Sequence, residues 1–283
     1  MKIPFTKMHG LGNDFILIDC RNKAFSSQLS ALSSLSKRLC HRRFGIGADQ
    51  LLLLYPSDIA DFKMRIFNAD GSEVEMCGNG IRCFARYIWD RGLSEKDRLS
   101  VETMAGIIKP FKAVDMVTVD MGEPGFEPEK IPVKIVGESN TSRLINFPLQ
   151  IFDREFKITC VSMGNPHAVI VVDEIDAFDV KKYGPLIEVN RLFPKRTNVE
   201  FIQVVTNERI RMRVWERGAG ETMACGTGAS AVAVAANLLG LAGRRVCVEL
   251  PGGELVIEWK ENNRVYMTGP AVEVFSGEIE IKI

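Results

Sequence analysis

Two of the seven cysteines, Cys77 and Cys225, sit in a setting that could do chemistry. Each opens a short glycine loop, Cys77-Gly78-Asn79-Gly80 or Cys225-Gly226-Thr227-Gly228, and each loop runs straight into a helical stretch, Ile81 to Arg91 or Ala229 to Leu239. A sulfur at a helix N-terminus meets unsatisfied backbone N–H groups and the positive end of the helix dipole. That setting favours thiolate. The glycines let a ligand come close to the backbone, and the same N–H groups suit a carboxylate. Two such thiols suit one reaction class: one removes a proton from a stereocentre and the other returns a proton to the opposite face, with roles exchanged in reverse. The converging helix ends would steady the negative charge between the two steps. The plainer alternative is a structural or redox pair. Redox partners normally lie close in sequence, however, and the glycine-helix setting argues against inert burial.

The two loops belong to a longer internal repeat. The cysteines are 148 positions apart. Arg65-Ile66-Phe67 matches Arg213-Val214-Trp215 and Gly92-Leu93 matches Gly240-Leu241 at the same offset. Val101-Glu102 and Val248-Glu249, like Gly122 and Gly269, are offset by 147, and Gly12-Asn13 and Gly164-Asn165 by 152. The series predicts two equivalent halves, each with strands before and after one central helix. Strands are expected at 15–18, 50–55, 63–67 and 117–121, then at 168–172, 199–205, 210–215, 245–250 and 255–259. An earlier helix is expected over Gln28 to Arg42. One long helix per half excludes a doubly wound nucleotide fold. The fold class is α+β. Glycines and prolines between Met121 and Pro132 place a boundary there, giving halves 1–121 and 122–270. The repeat leaves open whether the last strands, 271–283, return to the first half.

Composition narrows the function further. Lysine plus arginine equals aspartate plus glutamate at 36 each in 283 residues, so no basic excess points to nucleic acid or an anionic membrane. No apolar run has the length of a membrane span and no signal-peptide pattern opens the chain, so a cytoplasmic protein is expected. Cys20, Cys40, Cys83, Cys160 and Cys247 read as small buried hydrophobes. There is no CxxC pair and only His9, His41 and His167, so no metal site is expected. No nucleotide fingerprint is present, and no cofactor is expected.

The chain resembles the diaminopimelate epimerase family nearly end to end. The likeness is carried by Lys7-Met8-His9-Gly10-Leu11-Gly12-Asn13-Asp14-Phe15, Gly45-Ile46-Gly47-Ala48-Asp49-Gln50, Phe67-Asn68-Ala69-Asp70-Gly71-Ser72 and Glu75-Met76-Cys77-Gly78-Asn79-Gly80. It continues through Gly164-Asn165-Pro166-His167-Ala168-Val169, Thr197-Asn198-Val199-Glu200-Phe201 and Glu216-Arg217-Gly218-Ala219-Gly220-Glu221-Thr222, ending at Ala224-Cys225-Gly226-Thr227-Gly228. The resemblance implies conversion of LL-diaminopimelate to the meso form without pyridoxal phosphate or metal, in lysine and peptidoglycan-precursor synthesis. It implies two similar domains, each a β-barrel-like sheet around a central helix, with the site in the cleft between them. It also implies that Cys77 and Cys225 are catalytic, and that Asn13, Gln50, Asn68, Asn165 and Asn198 are substrate ligands. Taken singly, those five amides read as turn residues. Arg217 matches the anchor for the distal carboxylate, which an arginine fork suits, although alone it would read as a surface ion pair. Glu216 and the Gly78-Asn79 and Gly226-Thr227 backbones match ligands for ammonium and α-carboxylate, while His167 and Glu216 match residues that tune the thiols. The partner implied is a small-molecule substrate, with a homodimer left open. A proline racemase-like enzyme shares the two-cysteine logic but typically has His at the place of Asn79. A thiol or redox protein that keeps the fold is the alternative from another class.

Overall fold

The computed structural model describes residues 2–22, 32–134 and 143–280. Its strands are β1 Lys2–Gly10, β2 Asn13–Asp19, β3 Gln50–Tyr55, β4 Phe62–Asn68, β5 Glu73–Val74, β6 Val101–Thr103, β7 Gly106–Ile108, β8 Phe111–Ala113 and β9 Met116–Asp120. They continue as β10 Phe147–Ile151, β11 Arg154–Ser162, β12 Pro166–Val171, β13 Asn198–Thr206, β14 Arg209–Glu216, β15 Gly220–Thr222, β16 Arg245–Leu250, β17 Gly253–Trp259, β18 Val265–Gly269 and β19 Val272–Glu280. The helices are α1 Leu32–Cys40, α2 Gly78–Asp90, α3 Val180–Glu188 and α4 Gly226–Leu238. Of the helix expected over 28–42, the structure shows Leu32–Cys40, and 28–31 lie outside the described residues.

The chain forms two compact units. One is Met1–Val119 with Thr268–Ile283 and the other is Asp120–Met267; β9 and β18 carry the chain across the boundary. Among the described residues the strands form two sheets. An 8-stranded sheet runs β19-β1-β2-β3-β4-β6-β7, with β5 on β4. An 11-stranded sheet runs β10-β11-β12-β13-β14-β16-β17-β18-β9-β8, with β15 on β14. The last strand, β19, pairs antiparallel with β1 from Lys2↔Glu280 to His9↔Val272.

In the first unit, α2 packs on β19, β1, β2 and β3, so the sheet curves around it. In the second, α4 packs on β11, β12, β13, β16 and β17 in the same way. Helix α4 is buried along almost its whole length, because Ala229, Ala231, Ala233, Ala235 and Ala236 let strands approach from every side. Helix α2 is amphipathic and buries Ile81, Cys83, Phe84, Ala85 and Ile88. Its Arg82 is fully buried and donates to the carbonyls of Gly78 and Pro270 at 3.3 and 3.2 Å.

A second helix covers the outer face of each sheet. Leu35, Leu39 and Cys40 of α1 pack against Ile16, Ile18, Leu51, Leu53 and Phe67. Val180, Tyr183 and Ile187 of α3 pack against Ala168, Ile170, Val199 and Phe201. Strands covered on both faces have no solvent side, which is why Leu51–Leu54 is apolar throughout rather than alternating. No helix among the described residues is long and apolar enough to cross a membrane.

Candidate active site

Both loop cysteines are helix N-caps. Cys77 precedes α2 with φ −139° and ψ 119°, and its sulfur accepts from the Gly80 N–H at 3.4 Å. Cys225 precedes α4 with φ −128° and ψ 112°, and its sulfur accepts from the Gly228 N–H at 3.4 Å. Each sulfur thus occupies the place where a serine or aspartate oxygen usually caps a helix. Gly78 and Asn79, like Gly226 and Thr227, form the first helical residues, whose N–H groups have no partner within the helix.

In the first unit the structure gathers Cys77, Asn13 and Asn79. Cys77 Sγ lies 3.7 Å from Asn13 Oδ1, which also accepts from Asn79 Nδ2 at 3.2 Å. Asp49 holds the other end of the Asn13 amide, accepting from Nδ2 at 2.9 Å. Behind it lies an ionic cluster: Arg42 bonds both Asp14 and Asp49, and Lys7 bonds Asp14. Burial opposes ionisation of Asp14, but the bonds from Arg42 and Lys7 prevail and hold its carboxyl far below the usual range. Gln50 and Asn68 face each other across β3 and β4, joined by a 2.8 Å hydrogen bond. Gln50 Oε1 is buried with no hydrogen-bond partner among the described residues.

The second unit repeats the plan with different side chains around Cys225. Cys225 Sγ is 3.5 Å from Thr227 Oγ1, which accepts from Asn165 Nδ2 at 3.3 Å. Asn165 Oδ1 is 2.9 Å from His167 Nε2, and His167 Nδ1 is 2.6 Å from Glu200 Oε1. His167 therefore reaches the thiol through Asn165 and Thr227 rather than by direct contact. Glu216 accepts a hydrogen bond from Thr222, and the Cys225 thiol, close by, also favours its charged form. Burial pushes the Glu216 carboxyl up, against those two influences. Asn198 donates to the Pro166 carbonyl at 2.9 Å and accepts from the Arg217 N–H at 2.9 Å, so it ties two segments of the loop region together. The Arg217 side chain is bonded to the Lys195 carbonyl at 3.3 Å, and Glu188 anchors the same loop through Trp215 Nε1 and the Gly218 N–H at 2.8 and 2.9 Å.

The five amides fall at strand ends, and two expectations for cysteines, at Cys225 and Cys247, need correction. Asn13, Gln50 and Asn198 open strands, Asn68 closes one at a turn, and Asn165 lies in the bend just before another. They line the sheet ends beside the two helix N-termini. At Cys225 the lowering supplied by the helix N-terminus is outweighed. Burial, then the Glu216 and Glu200 carboxylates, push it well above the usual value, outweighing the Thr227 and Gly228 bonds. Burial likewise pushes Cys20 and Cys83 up to about 12. Cys247 is half-buried rather than buried.

A family model described as diaminopimelate epimerase matches residues 5–127 and 159–274. The chain belongs to the diaminopimelate epimerase family. It is an isomerase, and similarity to individual members of the family is high across the whole chain. It is 55% identical to the diaminopimelate epimerase of Pelotomaculum thermopropionicum over 97% of this chain and 98% of that one. It is 50% identical to that of Methanococcus maripaludis over 99% and 100%. Among solved structures, a phenazine biosynthesis protein of the PhzF family from Bacillus anthracis has a TM-score of 0.71 at 18% identity, covering 99% of this chain and 100% of that one. A hydroxyproline epimerase from Agrobacterium vitis has a TM-score of 0.67 at 15% identity, covering 98% and 91%. These two structures share the diaminopimelate epimerase fold.

Sequence reasoning assigned no role to Asp49, Glu188, Glu200 or Thr222. Glu200 had a readable signal: it lies two residues after Asn198 on one strand, hence on the same face.

Proposed function

We propose that this chain interconverts LL- and meso-diaminopimelate by proton transfer between two thiols, one from each unit, acting on opposite faces of the α-carbon. The observation that carries the reading is the duplication of one device: a cysteine N-cap on a buried helix, beside an asparagine from a strand end. In the LL direction one thiolate takes the α-proton and the other cysteine, as a thiol, delivers its own. The helix N–H groups at Gly78-Asn79 and Gly226-Thr227 take the α-carboxylate and share the charge that builds on it. Asn13, Gln50, Asn68, Asn165 and Asn198 shape the polar site, and the buried Gln50 Oε1 is an acceptor suited to an ammonium group. Arg217 takes the distal carboxylate and Glu216 an ammonium. The reading calls for neither pyridoxal phosphate nor metal: each thiol handles the proton on its own face, and the helix N–H groups carry the charge that builds on the carboxylate.

Incubating the purified protein with LL-diaminopimelate in deuterated water, with chelator and no added cofactor, tests this. Meso product should form carrying deuterium at the inverted carbon. Recovered substrate should stay unlabelled early on, since the abstracting thiol returns the substrate's own proton when the carbanion collapses. Absence of turnover would refute the assigned reaction. Equal early labelling of both pools would refute the two-thiol route.

A further inference from the structure

The two halves are built alike but are not lined alike. The repeat aligns Leu52 with Glu200 and Gly80 with Gly228 at 148 positions, and Phe15 with His167 at 152. Strand pairing agrees with this alignment: Phe15 lies beside Gln50 on parallel β2 and β3, and His167 lies beside Asn198 on parallel β12 and β13. The space under each loop can be compared directly. A methyl group placed on Gly80 would meet Leu52 and Phe15 at 3.4 Å; on Gly228 it would meet Glu200 Oε1 at 2.9 Å. Beneath Cys77 the helix start therefore rests on two apolar side chains. Beneath Cys225 it rests on a buried carboxylate and the histidine bonded to it.

Glu200 is fully buried, as is His167. Its Oε1 is held by His167, and its Oε2 is buried with no hydrogen-bond partner among the described residues. The same methyl position on Gly228 lies 2.9 Å from Glu200 Oε1 and 3.3 Å from Cys225 Sγ, which puts the oxygen and the sulfur within about 6 Å of each other. At that range, in a dry interior, one negative charge strongly disfavours a second. The other titratable groups facing this cluster are Glu216 on β14, whose charge acts in the same sense, Cys160 on β11, a buried thiol, and His167 itself, whose imidazole opposes both carboxylates when it is protonated. Packing alone would be served by an aliphatic side chain, as Leu52 shows in the other half. An unpaired carboxylate oxygen in such a place costs stability and calls for another explanation.

We infer that Glu200 is a positioning residue of the proposed site: seated under the Cys225 loop where the other half has Leu52, it fixes His167 and makes Cys225 the proton-bearing thiol of the two. His167, gripped at Nδ1, presents Nε2 to Asn165, whose amide meets Thr227 and through it the sulfur. The matching positions under the Cys77 loop are held by Phe15 and Leu52. The resting protein is thereby asymmetric, with Cys225 the sulfur ready to give a proton. This inference rests on the two-thiol reading of the site.

The test follows both cysteines in one molecule. Wild type and Glu200→Gln are treated with iodoacetamide across a pH series, and carboxamidomethylation of Cys77 and Cys225 is quantified separately by peptide mass spectrometry. The readout is the pH midpoint of each cysteine, which does not depend on turnover or on the rate of access. In Glu200→Gln the Cys225 midpoint should fall by at least about one pH unit, a tenfold change in thiolate fraction, with the Cys77 midpoint unmoved. Glu200→Asp should stay close to wild type. If Glu200→Gln does not fold, the double variant His167→Phe with Glu200→Leu, which copies the Phe15–Leu52 lining, carries the same expectation. An unmoved Cys225 midpoint in a folded variant, or equal shifts at both cysteines, would overturn the inference. Wild-type turnover of diaminopimelate is measured in parallel, so failure of the assigned reaction is seen separately from failure of the asymmetry.

Discussion

Replacing Glu188 by alanine should loosen the loop that carries Arg217, and the size of the effect can be worked from its contacts. The Glu188 side chain is 7% exposed and accepts from Trp215 Nε1 at 2.8 Å and from the Gly218 N–H at 2.9 Å. Hydrogen bonds to a charged acceptor contribute about 1.5–3 kcal/mol each, and the alanine variant leaves two donors unanswered. The ion pair with Arg196 adds little, being 3.5 Å long on a residue that is 60% exposed. The expected loss is about 3 kcal/mol in the second unit, with Glu188→Gln losing about half because its amide keeps one acceptor oxygen. Urea unfolding followed by tryptophan fluorescence reads this, since Trp215 packs on the affected core. Because Gly218 immediately follows Arg217, KM for diaminopimelate should rise several-fold while kcat changes less. A loss below about 0.5 kcal/mol together with an unchanged KM would show that the buried carboxylate neither braces the loop nor positions Arg217.

Other expectations follow from the same geometry. Cys77→Ala and Cys225→Ala should each abolish epimerisation in a folded protein, while lowering stability by about 1 kcal/mol through loss of the helix cap; chiral chromatography and thermal melts read both. Arg217→Met should weaken binding of the dicarboxylate substrate by about 2–5 kcal/mol, seen in KM, and an unchanged KM would remove Arg217 from the site. Asp14 has its carboxyl lowered on folding, so its stabilising contribution is complete above the unfolded value near 3.9 and is lost as pH falls toward the lowered one. Asp14→Asn should therefore be less stable at pH 7 and show a flatter stability profile below about pH 4. Gly184→Ala should destabilise by about 1–3 kcal/mol, because the added methyl would lie 2.7 Å from Trp215 carbons across the α3–β14 contact; equilibrium unfolding gives the figure.

The legible parts of this protein are those where local sequence and tertiary setting agree. Cys77 and Cys225 announce their helices because glycine-rich caps precede long runs without a breaker, and the ordered series of matches at offsets of 147, 148 and 152 points to two halves. Strand β1 is hidden by Pro4, Lys7 and His9, and its pairing with β19 comes from residues more than 260 positions away. Helix α3 contains Gly184 and Pro185, which argue against a helix locally; packing of Val180, Tyr183 and Ile187 prevails. Glu200, between Val199 and Phe201, reads as the wet side of an alternating strand. It is dry because α4 covers that face, a fact of assembly that no window of neighbouring residues contains. The amides of the site read as turn formers for the same reason: the chain's local preferences do not say that several strand ends meet beside a helix cap.

The pairing of β19 with β1 has a consequence for biosynthesis. A ribosome delivers the chain from its N-terminus, yet the first unit draws its edge strand from residues 272–280. The second unit, 120–267, is contiguous and has all its strands earlier. During synthesis the order of completion is therefore inverted: the inner unit can close while β1 still waits with one side unpaired, and the Cys77 half is finished only when the last strand emerges. A messenger truncated shortly before codon 272 would yield a folded Cys225 half tethered to a sheet with an open edge, the kind of edge that invites pairing with another chain.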